Sequence, residues 1–253
     1  MIDALYIAES GLTVKQKQLD SIANNIANVS TPGFKANHVN FMTVVQENRD
    51  ANGDMIGTQA LGVAVGESAL DLSAGKMQQT GRALDVAISG DGFIEVDLTN
   101  GEKAYSRGGR LSVDNDGFLQ TDSGHRLSAS IQIPPDVKRL EIGRNGAVSA
   151  TLDSGEAIQL GDIQLVKFSN TNDLHLLSDN VFAAGDSAAQ SAFYSEAGEN
   201  GLGSIEQGML EASNVSLNQE MMNMMLAQRG YQLNARLIQV SDQVLETLNN
   251  LRR

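Results

Sequence analysis

The side chains able to do chemistry are few and badly spaced for it. The 253-residue chain has no cysteine, which removes thiol catalysis, disulfides, Cys-ligated zinc and iron–sulfur clusters. Its three histidines, His38, His125 and His175, lie far apart and match neither a His-x-x-His nor a His-Glu-x-x-His metal spacing. They read as incidental surface or loop residues. Asp50, Asn52 and Asp54 imitate the first half of a calcium loop, but Met55 stands where that loop needs glycine and Leu61 where it needs the closing glutamate. Asp114 and Asp116 form an acid pair of the kind a glycosidase sets across a scissile bond, yet Asp116 belongs to an Asp-Gly dipeptide and both read first as turn formers. Gly201-Leu202-Gly203 opens like a dinucleotide fingerprint and then has Glu206 where the third glycine belongs. No nucleophile elbow and no phosphate loop occur. The expectation is therefore no catalytic residue, no metal ligand, no cofactor and no enzyme. A β-rich carbohydrate hydrolase exposing an acid pair stays as the enzymatic alternative.

Composition points the same way. With 18 Lys+Arg against 31 Asp+Glu, the formal charge is −13, which argues against nucleic acid or an anionic membrane as partner. Aromatics are 4% with no tryptophan, and there are 25 glycines, a mixture suited to turns and shallow surfaces more than to a deep cavity. No run approaches the ~18 apolar residues of a membrane span. Asp3 and Glu9 interrupt the apolar start and no basic region precedes it, so no secretory signal is expected. Charge is uneven. Residues 1–35 balance Asp3, Glu9 and Asp20 against Lys15, Lys17 and Lys35, and residues 204–253 are nearly neutral, so the acidity and most of the glycine fall in residues 36–203. Such composition shifts mark domain boundaries.

The neutral ends read as helices. Leu5, Leu12, Leu19 and Ile26 recur every seven residues, with Ala8, Ile22 and Val29 in a companion row. This seam requires a partner helix. Thr31-Pro32-Gly33 ends it, because proline disfavours helix in the residue before it and glycine readily turns the chain. At the other end, Leu226, Leu233, Leu237, Val240, Val244 and Leu251 form a second stripe, widened by Ile238, Leu245 and Leu248. Glu206, Glu211 and Glu220 early and Arg252 and Arg253 late suit the helix dipole, and Ser213-Asn214 is a candidate cap. Met221, Met222, Met224 and Met225 point around a full turn, which fits either core filling or contact with several neighbours. The simplest arrangement pairs the two ends antiparallel, as one domain discontinuous in sequence.

The middle reads as antiparallel β structure. Leu84–Ile88, Phe93–Leu98, Leu111–Val113, Val137–Ile142, Ala147–Thr151 and Ile163–Phe168 are short and rich in β-branched residues. Asn100-Gly101, Asp116-Gly117, Ser123-Gly124, Asn145-Gly146 and Ser154-Gly155 are hairpin turns between them. Residues 36–75 show no period and read as an extended connector with a turn at Asn52-Gly53. The fold expected is α+β: terminal helices pairing as a discontinuous, coiled-coil-like domain (residues 1–35 and 204–253), the connector (36–75), and an inserted, mainly antiparallel β domain (76–203).

Residues 22–35, Ile-Ala-Asn-Asn-Ile-Ala-Asn-Val-Ser-Thr-Pro-Gly-Phe-Lys, resemble the signature of the flagellar rod and hook family. Further matches run through Asp85-Val86-Ala87-Ile88, Gly90-Asp91-Gly92-Phe93, Tyr105-Ser106-Arg107, Ile142-Gly143-Arg144-Asn145-Gly146, Leu210-Glu211-Ala212-Ser213-Asn214-Val215 and Gln228-Arg229-Gly230-Tyr231. The Gln-Arg-x-Tyr tail and Ile131–Pro135 favour a distal-rod member over a proximal-rod or hook-like one. Gly230 departs from the usual alanine. Asn218 and Gln219 stand where relatives carry apolar or acidic residues.

The resemblance implies a structural subunit of the bacterial basal body that polymerises into a helical tube, carries torque from motor to hook, and leaves through the flagellar type III export apparatus without a cleavable signal. Its implied partners are copies of itself, proximal rod proteins, hook protein and the P- and L-ring bushing. Interface and motif residues would be Leu5, Leu12, Leu19, Asn24, Asn25, Ile26, Asn28, Thr31, Pro32, Gly33, Phe34 and Lys35, with Ser213, Asn214, Val215, Met221, Met224, Gln228, Arg229, Tyr231, Leu233, Leu237, Val240 and Val244. Asn24, Asn25 and Asn28, amides beside an apolar row, either fix register between subunits or are satisfied within the chain.

Overall fold

A computed structural model describes residues 2–49, 55–98, 100–177 and 180–251. The expected turn at Asn52-Gly53, the Asp50/Asn52/Asp54 calcium mimic and the Arg252-Arg253 end lie outside the described residues. The chain divides into two compact units, Met1–Val29 with Ala36–Asp71 and Val215–Arg253, and Ser30–Lys35 with Leu72–Asn214.

The first unit is built on α1 (Ile2–Ala27) and a long C-terminal helix (Leu217–Leu251). Helix α1 ends as expected. The Asn28 N–H bonds the Asn24 and Asn25 carbonyls at 3.1 and 3.2 Å, and its side chain returns to the Asn24 carbonyl at 2.9 Å. The two helices run antiparallel, since Gly11 faces Asn234 and Lys15 lies over Gly230. Their seam is made of small residues: Ala8 and Ala227 are buried in it, and a Cβ at Gly11 would come within 2.6 Å of the Asn234 amide. Close helix approach is what small residues permit.

Residues 37–49 and 55–70 differ from the expected connector. They form a two-stranded antiparallel ribbon, β1 (Asn37–Arg49) with β2 (Met55–Leu70). Register shifts fall after Val39, Val44 and Asn48. Each shift resets the two-residue alternation, which is why no period shows in the sequence. The Ser10 hydroxyl accepts from the Val63 N–H at 3.3 Å, holding the ribbon on α1.

The second unit is the β body. Its strands are β3 (Met77–Gln79), β4 (Asp85–Ser89), β5 (Phe93–Asp97), β6 (Lys103–Ser106), β7 (Gly108–Val113), β8 (Leu119–Thr121), β9 (Arg126–Leu127), β10 (Val137–Ile142), β11 (Ala147–Leu152), β12 (Ala157–Asp162), β13 (Gln164–Phe168), β14 (Leu174–Leu176), β15 (Val181–Ala184), β16 (Ala192–Glu196), β17 (Ser204–Gln207) and β18 (Met209–Glu211). A short helix, α2 (Asp186–Gln190), precedes β16, so the C-terminal helix is α3. The main sheet runs β14-β15-β6-β5-β9-β8-β7-β4-β17, with β13 joining β5 to β16; β10-β11-β12 and β3-β18 form smaller sheets. All described pairings are antiparallel.

All five expected dipeptide turns join paired neighbours: β5-β6, β7-β8, β8-β9, β10-β11 and β11-β12. Gly146 shows why glycine is required, with φ +92° and the Ile163 carbonyl where a Cβ would stand. The core gathers Val86, Ile88, Ile94, Leu127, Val148 and Leu165, each almost fully buried. A second cluster is aromatic. Phe93 meets Phe168 and Phe182 at 5.7 and 5.8 Å between ring centroids, and Tyr105 meets Phe168 at 4.8 Å.

The compact units divide the chain differently from the expected domains: residues 30–35 fall with the β body, 36–71 with the helices, and 204–214 with the body. Glu206 and Glu211 are therefore not in the early helix. They lie in β17 and β18, where Ile205, fully buried, pairs with Ile88 and Glu211 with Met77. Burial against the sheet outweighs helix propensity there. Helix α3 starts later than Ser213-Asn214, with the Ser216 carbonyl accepting its first bond from the Glu220 N–H at 2.9 Å.

Candidate functional site: assembly faces and a buried ionic seat

The groups with chemical potential serve turns. The Asp114 carboxylate accepts the Asp116 and Phe118 N–H groups at 2.9 and 2.8 Å, and Arg126 pairs with both aspartates. Burial alone would raise the Asp114 pKa, but those N–H bonds and the Arg126 charge hold it below the ordinary range. A glycosidase acid needs the opposite shift. His38 is exposed, His175 stands 3.6 Å from Asp173, and His125 sits in the β8-β9 turn. Among the described residues no three His, Cys, Asp or Glu side chains converge as a metal site.

The Asn-rich motif at the end of α1 is used locally. Asn25 is 1% exposed. Its side chain donates to the Asn37 carbonyl and accepts the Asn37 N–H, both at 3.0 Å, so the amide acts as a strand partner for the first residue of β1. The Ser21 hydroxyl adds a third bond to the same carbonyl at 2.7 Å. Of the two readings open for these amides, Asn25 follows the one within the chain. Asn24 is exposed and Asn28 half-buried.

The Gly-Phe-Lys part of the motif enters the β body. Gly33, at φ +72°, Phe34 and Lys35 are buried, Thr31 is half-buried and Pro32 exposed. Lys35, 1% exposed, donates to Glu211 Oε1 and to the Ser73 carbonyl, both at 2.7 Å. Glu211, 2% exposed, also accepts the Gly75 N–H at 2.7 Å, and its other oxygen lies 3.4 Å from Arg107 Nε. Arg107 also donates from Nη1 and Nη2 to the Gly92 and Gly90 carbonyls at 2.8 and 2.9 Å and stacks over Phe93. Four stretches that carry the family resemblance thus meet at one buried ionic seat. The sequence reading gave Glu211 to the helix dipole and Arg107 no role beyond the motif. The signal was there: opposite charges inside otherwise apolar, turn-rich stretches.

A second polar network faces the aromatic cluster. Lys103 and Tyr194 both donate to the nearly buried Glu95 carboxylate, and Ser128 donates to Asp97 at 2.6 Å. Burial alone would raise the Glu95 pKa, but the Lys103, Tyr194 and Ser128 hydrogen bonds and the Lys103 charge hold it below the ordinary glutamate value.

The helical unit leaves apolar side chains exposed on α3 and on the ribbon. On α3 the inner row toward α1 is Glu220, Met224, Ala227, Gly230 and Asn234, each buried or half-buried. The leucine stripe read from the sequence lies on the flank: Leu226, Leu233 and Leu237 are 60%, 63% and 57% exposed, and Val240 and Val244 are exposed as well. Met221, Met222 and Met225 are exposed while Met224 is half-buried, so the methionines reach beyond the intrachain seam. Gln228, Arg229 and Tyr231 are exposed too. On α1, Leu5, Leu12, Leu19 and Ile26 are half-buried. The ribbon adds exposed Phe41, Met42, Val44, Val45 and Val65. Ser213 and Asn214 are half-buried and Val215 is buried. The side chains of Leu245, Leu248 and Leu251 lie outside the description.

Terminal helices that pair through small residues and leave a large apolar face uncovered, with a β body inserted between them, are the features of a subunit built for assembly. Comparison with known proteins agrees. Residues 5–35 match the model described as "Flagella basal body rod protein", 87–150 that of the "Flagellar hook protein FlgE/F/G D1 domain", and 206–251 that of the "Flagellar basal body rod FlgEFG protein C-terminal". Over the whole of both chains, this one is 36% identical to flagellar basal-body rod protein FlgG of Bacillus subtilis and 35% identical to FlgG of Borreliella burgdorferi. It is also 30% identical, again over both full lengths, to flagellar hook-basal body complex protein FlhP of B. subtilis. The chain belongs to the flagellar basal-body rod protein family, and FlgG is the member that most of these relatives carry as a name.

Proposed function

We propose that this chain is the structural subunit of the distal rod of the bacterial flagellum, polymerising into a periplasm-spanning helical tube that carries torque from motor to hook. The observation that carries the proposal is the uncovered stripe of α3. Leu226, Leu233, Leu237, Val240 and Val244 form a row that the chain's own α1 does not cover. Completing the burial of such half-exposed side chains stabilises by about 1 kcal/mol each, and a neighbouring copy is the surface that covers them in a polymer. Leu5, Leu12, Leu19 and Ile26 border the same interface, with Met221, Met224, Gln228, Arg229 and Tyr231 of α3 and the exposed Asn24. A polymer requires this face to meet a different surface of the next copy, a head-to-tail contact that propagates as a filament and not as a closed dimer.

Beyond copies of itself, the partners proposed are proximal rod proteins, hook protein and the P- and L-ring bushing, reached after passage through the flagellar type III export apparatus. The chain has no enzymatic role in this reading. The FlhP similarity supports a second reading, another axial protein of proximal-rod or hook-like position. Localisation in purified basal bodies separates the two. A signal in the rod segment next to the hook supports the distal rod; a signal only at the membrane-proximal segment or in the hook favours the alternative; absence from basal bodies refutes both.

A further inference from the structure

The Gly201-Leu202-Gly203 stretch, which opens like a dinucleotide fingerprint and does not complete one, follows an asparagine. An Asn-Gly pair has a chemistry of its own. With no Cβ on the glycine to hinder it, the glycine nitrogen can reach the side-chain carbonyl carbon of the asparagine and close a five-membered ring. The described β body holds three such pairs, Asn100-Gly101, Asn145-Gly146 and Asn200-Gly201, each with its asparagine exposed. They differ in what the glycine N–H does.

In the β5-β6 and β10-β11 turns it is the closing donor. Gly101 donates to the Leu98 carbonyl and Gly146 to the Gly143 carbonyl, both at 2.9 Å. Each glycine ends its turn at a positive φ, +83° and +92°, the bulged arrangement of a longer hairpin loop. The side-chain amides are held as well. Asn100 accepts the Glu102 N–H at 3.0 Å and donates to Glu102 Oε2 at 2.7 Å, and Asn145 accepts the Ala147 N–H at 3.3 Å. The turn between β16 and β17 is built differently. It closes from the Leu202 N–H to the Glu199 carbonyl at 2.8 Å. Asn200 and Gly201 are its two central residues, with φ of +51° and +77°, the signs of a type I′ turn. A central N–H closes nothing, and no described group accepts the Gly201 N–H. The described restraint on the Asn200 amide is its donation to Ser195 Oγ at 2.9 Å.

We infer that Asn200 is a site of self-modification, where the backbone nitrogen of Gly201 attacks the Asn200 side chain and converts it to aspartate and isoaspartate. The nitrogen bonds to Cγ and loses its proton, which passes through water to Nδ2. The Cγ–Nδ2 bond breaks, ammonia leaves, and a succinimide remains. Water opens that ring at either carbonyl. The sum is amide plus water to carboxylic acid plus ammonia, with nothing oxidised or reduced. At Gly101 and Gly146 the same nitrogen must first give up a turn-closing bond, and a bonded amide reacts only after local opening. At Asn200 the backbone adds to the difference, since a residue with a Cβ gains by leaving the left-handed region. The product adds a negative charge to an already acidic chain. Its isoaspartate form also adds a main-chain carbon just ahead of the buried Leu202 and Ile205.

The test incubates the folded, full-length chain in mildly alkaline buffer and follows the three peptides by mass spectrometry, with electron-transfer fragmentation to separate aspartate from isoaspartate. Asn200 should convert about tenfold faster or more than Asn100 and Asn145, with isoaspartate among its products. In denaturing urea the three rates should converge, because the turns are gone and the dipeptide is the same. Ser195→Ala should raise the Asn200 rate several-fold by releasing the side chain. Equal rates in the folded chain overturn the inference. So do aspartate without isoaspartate, a difference that persists in urea, and a Ser195→Ala rate no higher than that of the unmodified chain.

Discussion

Glu211→Gln tests the energetics of the seat in the sharpest way. The substitution keeps side-chain volume and shape, so no cavity confuses the result. It removes the negative charge that sits 2.7 Å from Lys35 and 3.4 Å from Arg107 in a site 2% exposed. It also replaces one acceptor oxygen by a donor NH₂. Every described partner of the carboxylate (Lys35, Arg107 and the Gly75 N–H) is itself a donor, so the amide must face one of them wrongly. Removing one member of a buried pair costs about 3–5 kcal/mol. With a urea m-value of about 2 kcal/mol/M, that moves the unfolding midpoint down by about 2 M. The control is Glu141→Gln. Glu141 pairs with Arg139 at 3.1 Å, a distance within half an ångström of the buried pair, but the two are 55% and 73% exposed. Solvent screens such a pair, and its loss costs under about 1 kcal/mol. Urea titration of both variants by circular dichroism decides the matter. If Glu211→Gln moves the midpoint no further than Glu141→Gln, the seat is not holding the body together and the reasoning fails.

Four further outcomes are expected. Leu233→Asp with Leu237→Asp should leave the circular dichroism spectrum and melting of the isolated chain within a degree or two, while abolishing motility and rod assembly, since both residues are exposed in the subunit; a motile strain contradicts the interface. Asn25→Ala strips the Asn37 backbone of two bonds and should destabilise the helical unit by about 1–3 kcal/mol, read by thermal melting. Gly230→Ala should stabilise α3 by up to about 1 kcal/mol, because a new Cβ meets only the stem of Lys15, at 3.0 Å, which can move aside; a lower melting temperature would show that the stem is locked. Glu95 has a pKa below its ordinary 4.5 in the folded state, so its contribution is present above that value and is lost as pH falls through the lower one. Glu95→Gln should therefore flatten the acid limb of melting temperature against pH below about 4.5, and an unchanged acid limb contradicts the assignment.

What the sequence disclosed follows from which signals are local. Helix α1, which ends at Ala27 shortly before Thr31-Pro32-Gly33, the six strands and the five Gly-containing turns are set by nearest-neighbour chemistry, and all appear in the structure. The ribbon of residues 37–49 and 55–70 was hidden because its register shifts cancel the alternation that marks a strand. Strands β17 and β18 were hidden because eight residues with glutamates at 206 and 211 satisfy a helix-dipole argument as well as an edge-strand one. On α3 the leucine period marks an apolar row, but periodicity does not say which row the partner helix takes, and the stripe expected to pair with α1 is exposed. The row facing α1 is instead the one holding Ala227 and Gly230, with Gly11 of α1 close against Asn234. The seat was least legible of all, since Lys35 and Glu211 are 176 positions apart and only the closed body brings them together.

The central claim is that the open face of α3 is covered by another copy of the same chain. A photo-reactive amino acid placed at Leu237, irradiated in intact cells bearing assembled flagella, tests it most directly. The account predicts a cross-linked dimer and higher ladder containing only this chain, absent from strains blocked before rod assembly. A cross-link formed solely within one chain, or to an unrelated protein, would contradict it.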